Sequence, residues 1–262
     1  MIVLSLLLAM PYSMLRAGIG DELAAMHVER MGGVDRIHNL QALRVEGRTY
    51  VQDNAVEMVM WAERPNHLRV ESRQGEKRFV QAYDGAHAPW QSHSAVGEGA
   101  PKLMGESEAR EFIRNADFDG PLIGYSTKGF TVDYAGEEQL EGRAAYKLLV
   151  MGQHDEILFL WLDKESYLLV KRLEYHISPE GRRVGIATLY KDYRPVGGVP
   201  QPYRVETQVN GRLLNMVLMD KIEANPRLPN GIFSLPAAPA ESVKEITKAA
   251  SAARDDATAP AR

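Results

Sequence analysis

Seven histidines, at positions 27, 38, 67, 87, 93, 154 and 176, are the first residues in this chain that could hold a metal or move a proton. None falls in the HxH, HExxH or HxxxH spacings that set two imidazoles on one face of a strand or helix. A metal site would have to be assembled from distant positions, and none is expected. "YDGAHAPW" brings Asp84 close to His87, but Asp-Gly between two extended runs is first a turn signal. The paired acids Asp163 and Glu165 sit in "LDKES" between apolar runs, where a solvated hairpin turn accounts for them better than glycoside chemistry. There is no GxSxG, P-loop or GxGxxG motif. Cysteine is absent, which removes disulfides, thiolate metal ligands, cysteine nucleophiles and lipidated cysteine anchors together. No catalytic residue, metal or cofactor is therefore assigned, and the chain reads as a non-enzyme.

The elements that carry these residues are mainly strands. From residue 41 the apolar period is two: "LRVEGRTYV", "VEMVMWAE", "HLRVESR" and "KRFVQAYDG" are short runs separated by turn residues. The pattern returns from 130 through "FTVDYAGEEQL", "AAYKLLVMG", the pair inside "EILFLWLDKESYLLVKRLEY", "VGIATLYKDYRPV", "PYRVETQVN" and "LLNMVLMDKIEA". Sequential strands with short turns predict one large antiparallel sheet of about ten or eleven strands. Helices are expected in "GDELAAMHVERMGG", with Asp21 as N-cap, and over 105–118, where Ala109, Phe112, Ile113 and Ala116 form an apolar stripe. "VDRIHNL" adds a further turn or two.

Parity sorts the strand faces. Val56, Met58 and Met60 share one face, as do Leu68 with Val70, Tyr203 with Val205 and Val209, and Leu214 with Met216 and Leu218, while charged residues alternate with them. A sheet this large curls under its own twist, and two or three helices fill its concave side less tightly than a second sheet would. A cavity on the apolar face is the expected by-product. The run from Ile157 to Leu162 is apolar on both faces and needs a cover on each.

Composition agrees with a single β-rich domain. The chain has 262 residues, 45% hydrophobic, and a formal net charge of −4 with its Lys and Arg scattered, which argues against nucleic acid as a partner. "MIVLSLLLAMPYSMLRA" has the length and hydropathy of a signal peptide over residues 1–18, weak in form because it lacks a basic start. It predicts export. The globular domain is expected over 19–240, followed by an Ala-rich tail at 241–262 that forms a short helix or stays disordered.

"VMWAERPNHLRVESRQGEKRFVQAYDGAHAPWQ" resembles the early core of the LolA/LolB-like outer-membrane lipoprotein-sorting proteins, through Trp61, Arg64, Pro65, Asn66, Asp84, Gly85 and Trp90. "LWLDKESYLLVKRLEY" and "YKDYRPVGGVPQPYRVE" are similar to the later hairpins of that family, and "LPNGIFSLPAAP" to its closing Phe-x-x-Pro segment, so the resemblance runs over about 24–240. It implies an unclosed half-barrel with helices as a lid over an apolar concave face, and a periplasmic, monomeric carrier of acylated or other hydrophobic ligands. Its partners would be a lipid or lipidated protein and membrane donor and acceptor proteins. The alternative is a lipid-sensing regulatory module that binds a protein partner. On that model the cavity wall takes in Met58, Met60, Trp61, Leu68 and Val70 from the early strands. From the later ones it takes Phe159, Trp161, Val205, Val209, Met216 and Leu218. Phe112 and Ile113 belong to the lid helix, and Arg64 latches the lid by reaching carbonyls of the helix at 105–118 or the loop before it.

Overall fold

The computed structural model describes residues 18–52, 54–95, 99–152, 156–178 and 180–236. The expected signal segment up to residue 17 and the Ala-rich tail lie outside the described residues. Two helices come first, α1 (Ile19–Arg30) and α2 (Gly33–Asn39), with Gly32 at a φ of 109° making the turn between them. Gly18, not Asp21, is the N-cap of α1; Asp21 sits at the third helical position and its carboxylate accepts the Gly18 N–H at 2.8 Å. The acid satisfies an orphan donor from inside the first turn.

Six strands follow: β1 (Ala42–Val51), β2 (Asn54–Glu63), β3 (His67–Gln74), β4 (Lys77–Asp84), β5 (Trp90–Ser94) and β6 (Pro101–Leu103). Then come α3 (Glu106–Asn115) and seven more: β7 (Thr131–Leu140), β8 (Arg143–Met151), β9 (Ile157–Asp163), β10 (Leu169–Ile177), β11 (Arg183–Val196), β12 (Val199–Val209) and β13 (Arg212–Ala224). All thirteen described strands form one sheet in the order β6-β5-β4-β3-β2-β1-β13-β12-β11-β10-β9-β8-β7. Every neighbouring pair is antiparallel, and β6 and β7 are unpaired edges, so the fold is an unclosed half-barrel. The two strands beyond the expected eleven are β5 and β6, too short for a period to register.

The chain enters at the middle of the sheet, walks out to the β6 edge, and must reach the β7 edge before walking back. Residues 104–130 make that journey across one face, here called the inner face. On the β2–β4 side, Phe112 of α3 and its C-cap Ala116 bury against Ala62, Leu68 and Tyr83. On the far side, Leu122 joins Leu23 and Ala24 of α1 against Val132, Leu148, Val150, Leu158, Leu160 and Leu162. Between them, Ile37 and Leu40 pack on Leu43, Val196 and Val199. Each fully buried Leu or Phe in such a cluster contributes roughly 1.5–3 kcal/mol.

The inner side of β9 is thus covered by α1 and the crossing segment. Among the described residues its outer side is covered by lysine stems rather than by a helix. Trp161 is only 1% exposed although it faces outward. Lys147 and Lys171 place their ammonium groups 5.1 and 4.4 Å from its ring centroid, and its indole N–H donates to Glu138 at 2.9 Å. Long cationic side chains shield apolar surface while their heads stay in water. At the other end of the outer face, Phe233 docks by Trp90, whose indole donates to the Phe233 carbonyl at 3.0 Å.

Gly20 marks where α1 lies flat on β7: a Cβ there would clash with the carbonyl oxygen of Val132. Gly20→Ala is expected to lower stability by about 1–3 kcal/mol, as overpacking does, and to raise hydrogen exchange in α1. Unchanged denaturation midpoint and exchange would show that α1 is not held against the sheet at this point.

Candidate functional site

A cavity of about 390 Å³ lies between the inner face and the crossing segment. Its roof is the end of α3 and the turn that follows, from Arg114 through Phe118 to Ile123; its floor includes Leu158, Leu169, Arg172, Tyr190 and Tyr193, and His27 and Met31 close one side. The turn region is built of glycines and proline, with Gly120 and Gly124 at φ of 68° and 64°. Such a loop can pass close over a sheet without side chains filling the space beneath.

The roof is pinned at several places. Arg64 donates to the carbonyls of Leu40 at 2.7 Å and Ile37 at 2.5 Å, pairs with Asp119, and lies over the Phe118 ring at 4.7 Å. The Phe118 N–H in turn donates to the Pro65 carbonyl at 3.1 Å. Arg64 therefore does reach backbone carbonyls, but those of α2 rather than of the helix at 105–118, and it meets the roof through a carboxylate. Lys128 ties the turn to itself through Asp117 at 2.7 Å and the Gly120 carbonyl at 2.8 Å. The Tyr125 hydroxyl donates to Asp21 of α1, which pushes the phenol up to about 12. Glu108 accepts from Gln91 at 2.7 Å and Gln81 at 3.3 Å, fixing α3 to the sheet.

The expected wall residues divide between the two faces. Met58, Met60, Leu68 and Val70 are on the inner face, with Met60 and Val70 packed against the α3 cluster. Val205, opposite Tyr190, and Val209, opposite Ile186, also face inward. Trp61 does not: it sits opposite Arg44 and Arg69 on the outer face. Phe159 and Trp161 are likewise outward, because Leu158, Leu160 and Leu162 hold the inner positions of β9. Met216 and Leu218 lie opposite Glu206 and Arg204, again outward. The cause is a bulge at Asp220, where Gly47 pairs with Met219 but Glu46 with Lys221, and one extra residue reverses the parity of a strand. Inward residues of β13 are Val217 and Met219 before the bulge and Ile222 and Ala224 after it. On α3, Phe112 is buried as expected, whereas Ile113 is 37% exposed and outside the core.

None of the eleven expected wall residues lines the described cavity, because α3 fills the space above β2 to β4. The cavity instead has a polar floor that the apolar pattern did not disclose. Arg172 of β10 is buried and its Nη2 lies 3.2 Å from both oxygens of Glu174. Burial works against its charge, but attraction to Glu174 and Tyr190 and the hydrogen bond to Glu174 outweigh it, and its pKa lies above the ordinary arginine value. Burial pushes the phenols of Tyr190 and Tyr193 up, and the Tyr193 hydroxyl donates to the Leu169 carbonyl at 2.6 Å. His27 is buried with Nδ1 2.9 Å from the Tyr167 carbonyl, which can only accept, so Nδ1 carries the proton. Among the described residues no three histidine or acidic side chains are grouped to hold a metal ion. No described helix is long and apolar enough to cross a membrane.

An open antiparallel half-barrel whose edge-to-edge connection roofs a cavity is the architecture of the lipoprotein-sorting fold. Among solved structures the chain resembles a DUF1329 family protein from Desulfovibrio piger at a TM-score of 0.59 and 11% identity, over 83% of this chain and 98% of that one. It also resembles an outer membrane lipoprotein-sorting protein domain from Vibrio parahaemolyticus (0.56, 11%, 82% and 96%). A LolA superfamily protein from Nitrosomonas europaea shares the fold as well (0.52, 16%, 80% and 97%). No family model and no curated protein matches the sequence.

Two measurements test these contacts. Arg64→Leu leaves two carbonyls and a half-buried carboxylate without their donor, and should cost about 1.5–3 kcal/mol, with faster hydrogen exchange in α2 and at 117–120. Wild-type exchange there would show that Arg64 does not hold the roof. Burial holds the His27 pKa below its ordinary 6.5, so the unfolded chain binds the proton more readily. Stability is then complete above pH 6.5 and falls as the pH drops through it. Denaturation midpoints should decline from pH 6.5 toward 5 in the parent, and His27→Gln should flatten that decline; equal slopes would remove His27 as its source.

Proposed function

We propose that this chain is a non-enzymatic periplasmic carrier for acylated or other hydrophobic ligands, serving lipoprotein or lipid traffic toward the outer membrane. The observation that carries the reading is the roofed cavity on the inner face of an unclosed sheet. A closed barrel would hold its cargo behind a continuous hydrogen-bonded wall; here the wall on one side is a loop held by a few polar contacts. Lifting residues 117–130 needs only the Arg64–Asp119 pair, the Phe118–Pro65 bond, the Tyr125–Asp21 bond and local packing to yield. Domain-level unfolding is not required, so loading and release can proceed at modest cost. The fold shared with a lipoprotein-sorting domain supports the same reading.

The test is binding of N-phenyl-1-naphthylamine, a neutral fluorescent apolar probe, together with native mass spectrometry of the chain purified from its own host. One saturable probe site and a co-purifying lipid are expected. Ile123→Glu, which puts a charge in the roof, should weaken probe binding about tenfold or more, since burial of such a side chain is worth roughly 1.5–3 kcal/mol. Met216→Glu, on the outer face, should leave it unchanged. Absence of both saturable probe binding and bound lipid overturns the carrier assignment.

A further inference from the structure

The cavity is not uniformly apolar, and its polar part is unbalanced. Arg114 comes from the roof and Arg172 from the floor, and both line the cavity. They share one carboxylate: Glu174 Oε2 lies 3.8 Å from Nη2 of Arg114, and the Arg172 Nη2 is within 3.2 Å of the same group. The Nε–H groups of both arginines are buried without an acceptor, and Nε2 of His176, 3.6 Å from Glu174, is also unpartnered. A buried N–H on a charged group with nothing to donate to is costly. Three acids line the cavity, of which Asp117 is bonded to Lys128 and Asp119 to Arg64. Glu156, on the wall, adds to the negative field at Arg172 without a hydrogen bond to it. The two guanidiniums thus share a single carboxylate beside a cavity whose apolar lining includes Leu122, Ile123, Leu158 and Phe130.

We propose that Arg114 and Arg172 form an anion-binding subsite, and that the ligand is an amphiphile with a carboxylate or phosphate head whose hydrocarbon lies along the apolar lining. This rests on the carrier reading and specifies its cargo. Planar guanidinium forks match both head groups, giving short, charge-assisted bonds. Because one arginine belongs to the roof and the other to the sheet, an anion between them joins the two walls. A neutral lipid of equal length would leave the donors as they are.

The experiment is displacement of N-phenyl-1-naphthylamine from the whole chain by dodecanoate, dodecyl phosphate and dodecanol. The better anionic competitor should outcompete dodecanol about tenfold or more, the scale of a charged hydrogen bond, and which anion is better assigns the head group. Arg172→Gln and Arg114→Gln should each shrink that ratio toward one, and Arg172→Lys should retain most of it. Arg114 is one-third exposed on α3, so its variant decides the matter if Arg172→Gln does not fold. A ratio near one in the parent, or an undiminished ratio in Arg114→Gln, overturns the subsite while probe binding leaves the carrier reading standing. No probe binding, together with no lipid bound to the purified chain, overturns both.

Discussion

The connection between β6 and β7 governs the rest of this structure. Those strands are the two edges of a thirteen-stranded sheet, so the chain between them must cross an entire face. A crossing segment cannot float: its backbone groups need partners and its apolar side chains need cover. Phe112, Ala116 and Leu122 provide the apolar anchors at either end, and between them a glycine-rich turn bridges without filling. The cavity is the part of the inner face that the crossing covers and does not occupy. The polar ties from Arg64, Tyr125 and Glu108 are all responses to this one demand of connectivity.

Most of the sheet was readable in the sequence because period-two alternation survives in long strands. β5 and β6, five and three residues long, carry too few alternations to declare themselves and are defined by pairing, β5 to β4 and β6 to β5. Side-chain direction was less readable than strand existence. Parity gave the inner face of β2 and β3 correctly at Met58, Met60, Leu68 and Val70, but it fails wherever a strand takes an extra residue. Asp220 reverses β13 and sends Met216 and Leu218 outward. Trp161 misleads for a different reason: its size suggests a core wall, and its burial is real, yet lysine stems supply it.

Of the site, Arg64 was legible because it stands in Trp-x-x-Arg-Pro-Asn at a strand end, a pattern that fixes where the side chain begins. Its destination, the carbonyls of Leu40 and Ile37, lies 24 and 27 residues away in sequence, and no local pattern encodes that. The arginines of the cavity were not legible. "KRLEYH" alternates charges on one parity at Arg172, Glu174 and His176, which in isolation is an ordinary solvated face. Only the register, with Leu160 opposite Arg172 and Leu158 opposite Glu174, puts those charges inside.

The position of β1 has a further consequence in time rather than space. β1 lies at the centre of the sheet between β2 and β13, and its register with β13 joins Leu43 to Ala224. Strands β1 to β6 can form as one meander of local hairpins and β7 to β13 as another, each with short loops to close. Their junction is the longest-range strand pairing in the chain, and non-local pairing is slow because loop entropy must be lost before contacts form. The seam through the middle of the sheet is therefore the last part to knit. Until it does, β1 and β13 present open edges, and a chain emerging from its amino end holds the first of these unpaired until residue 224 arrives.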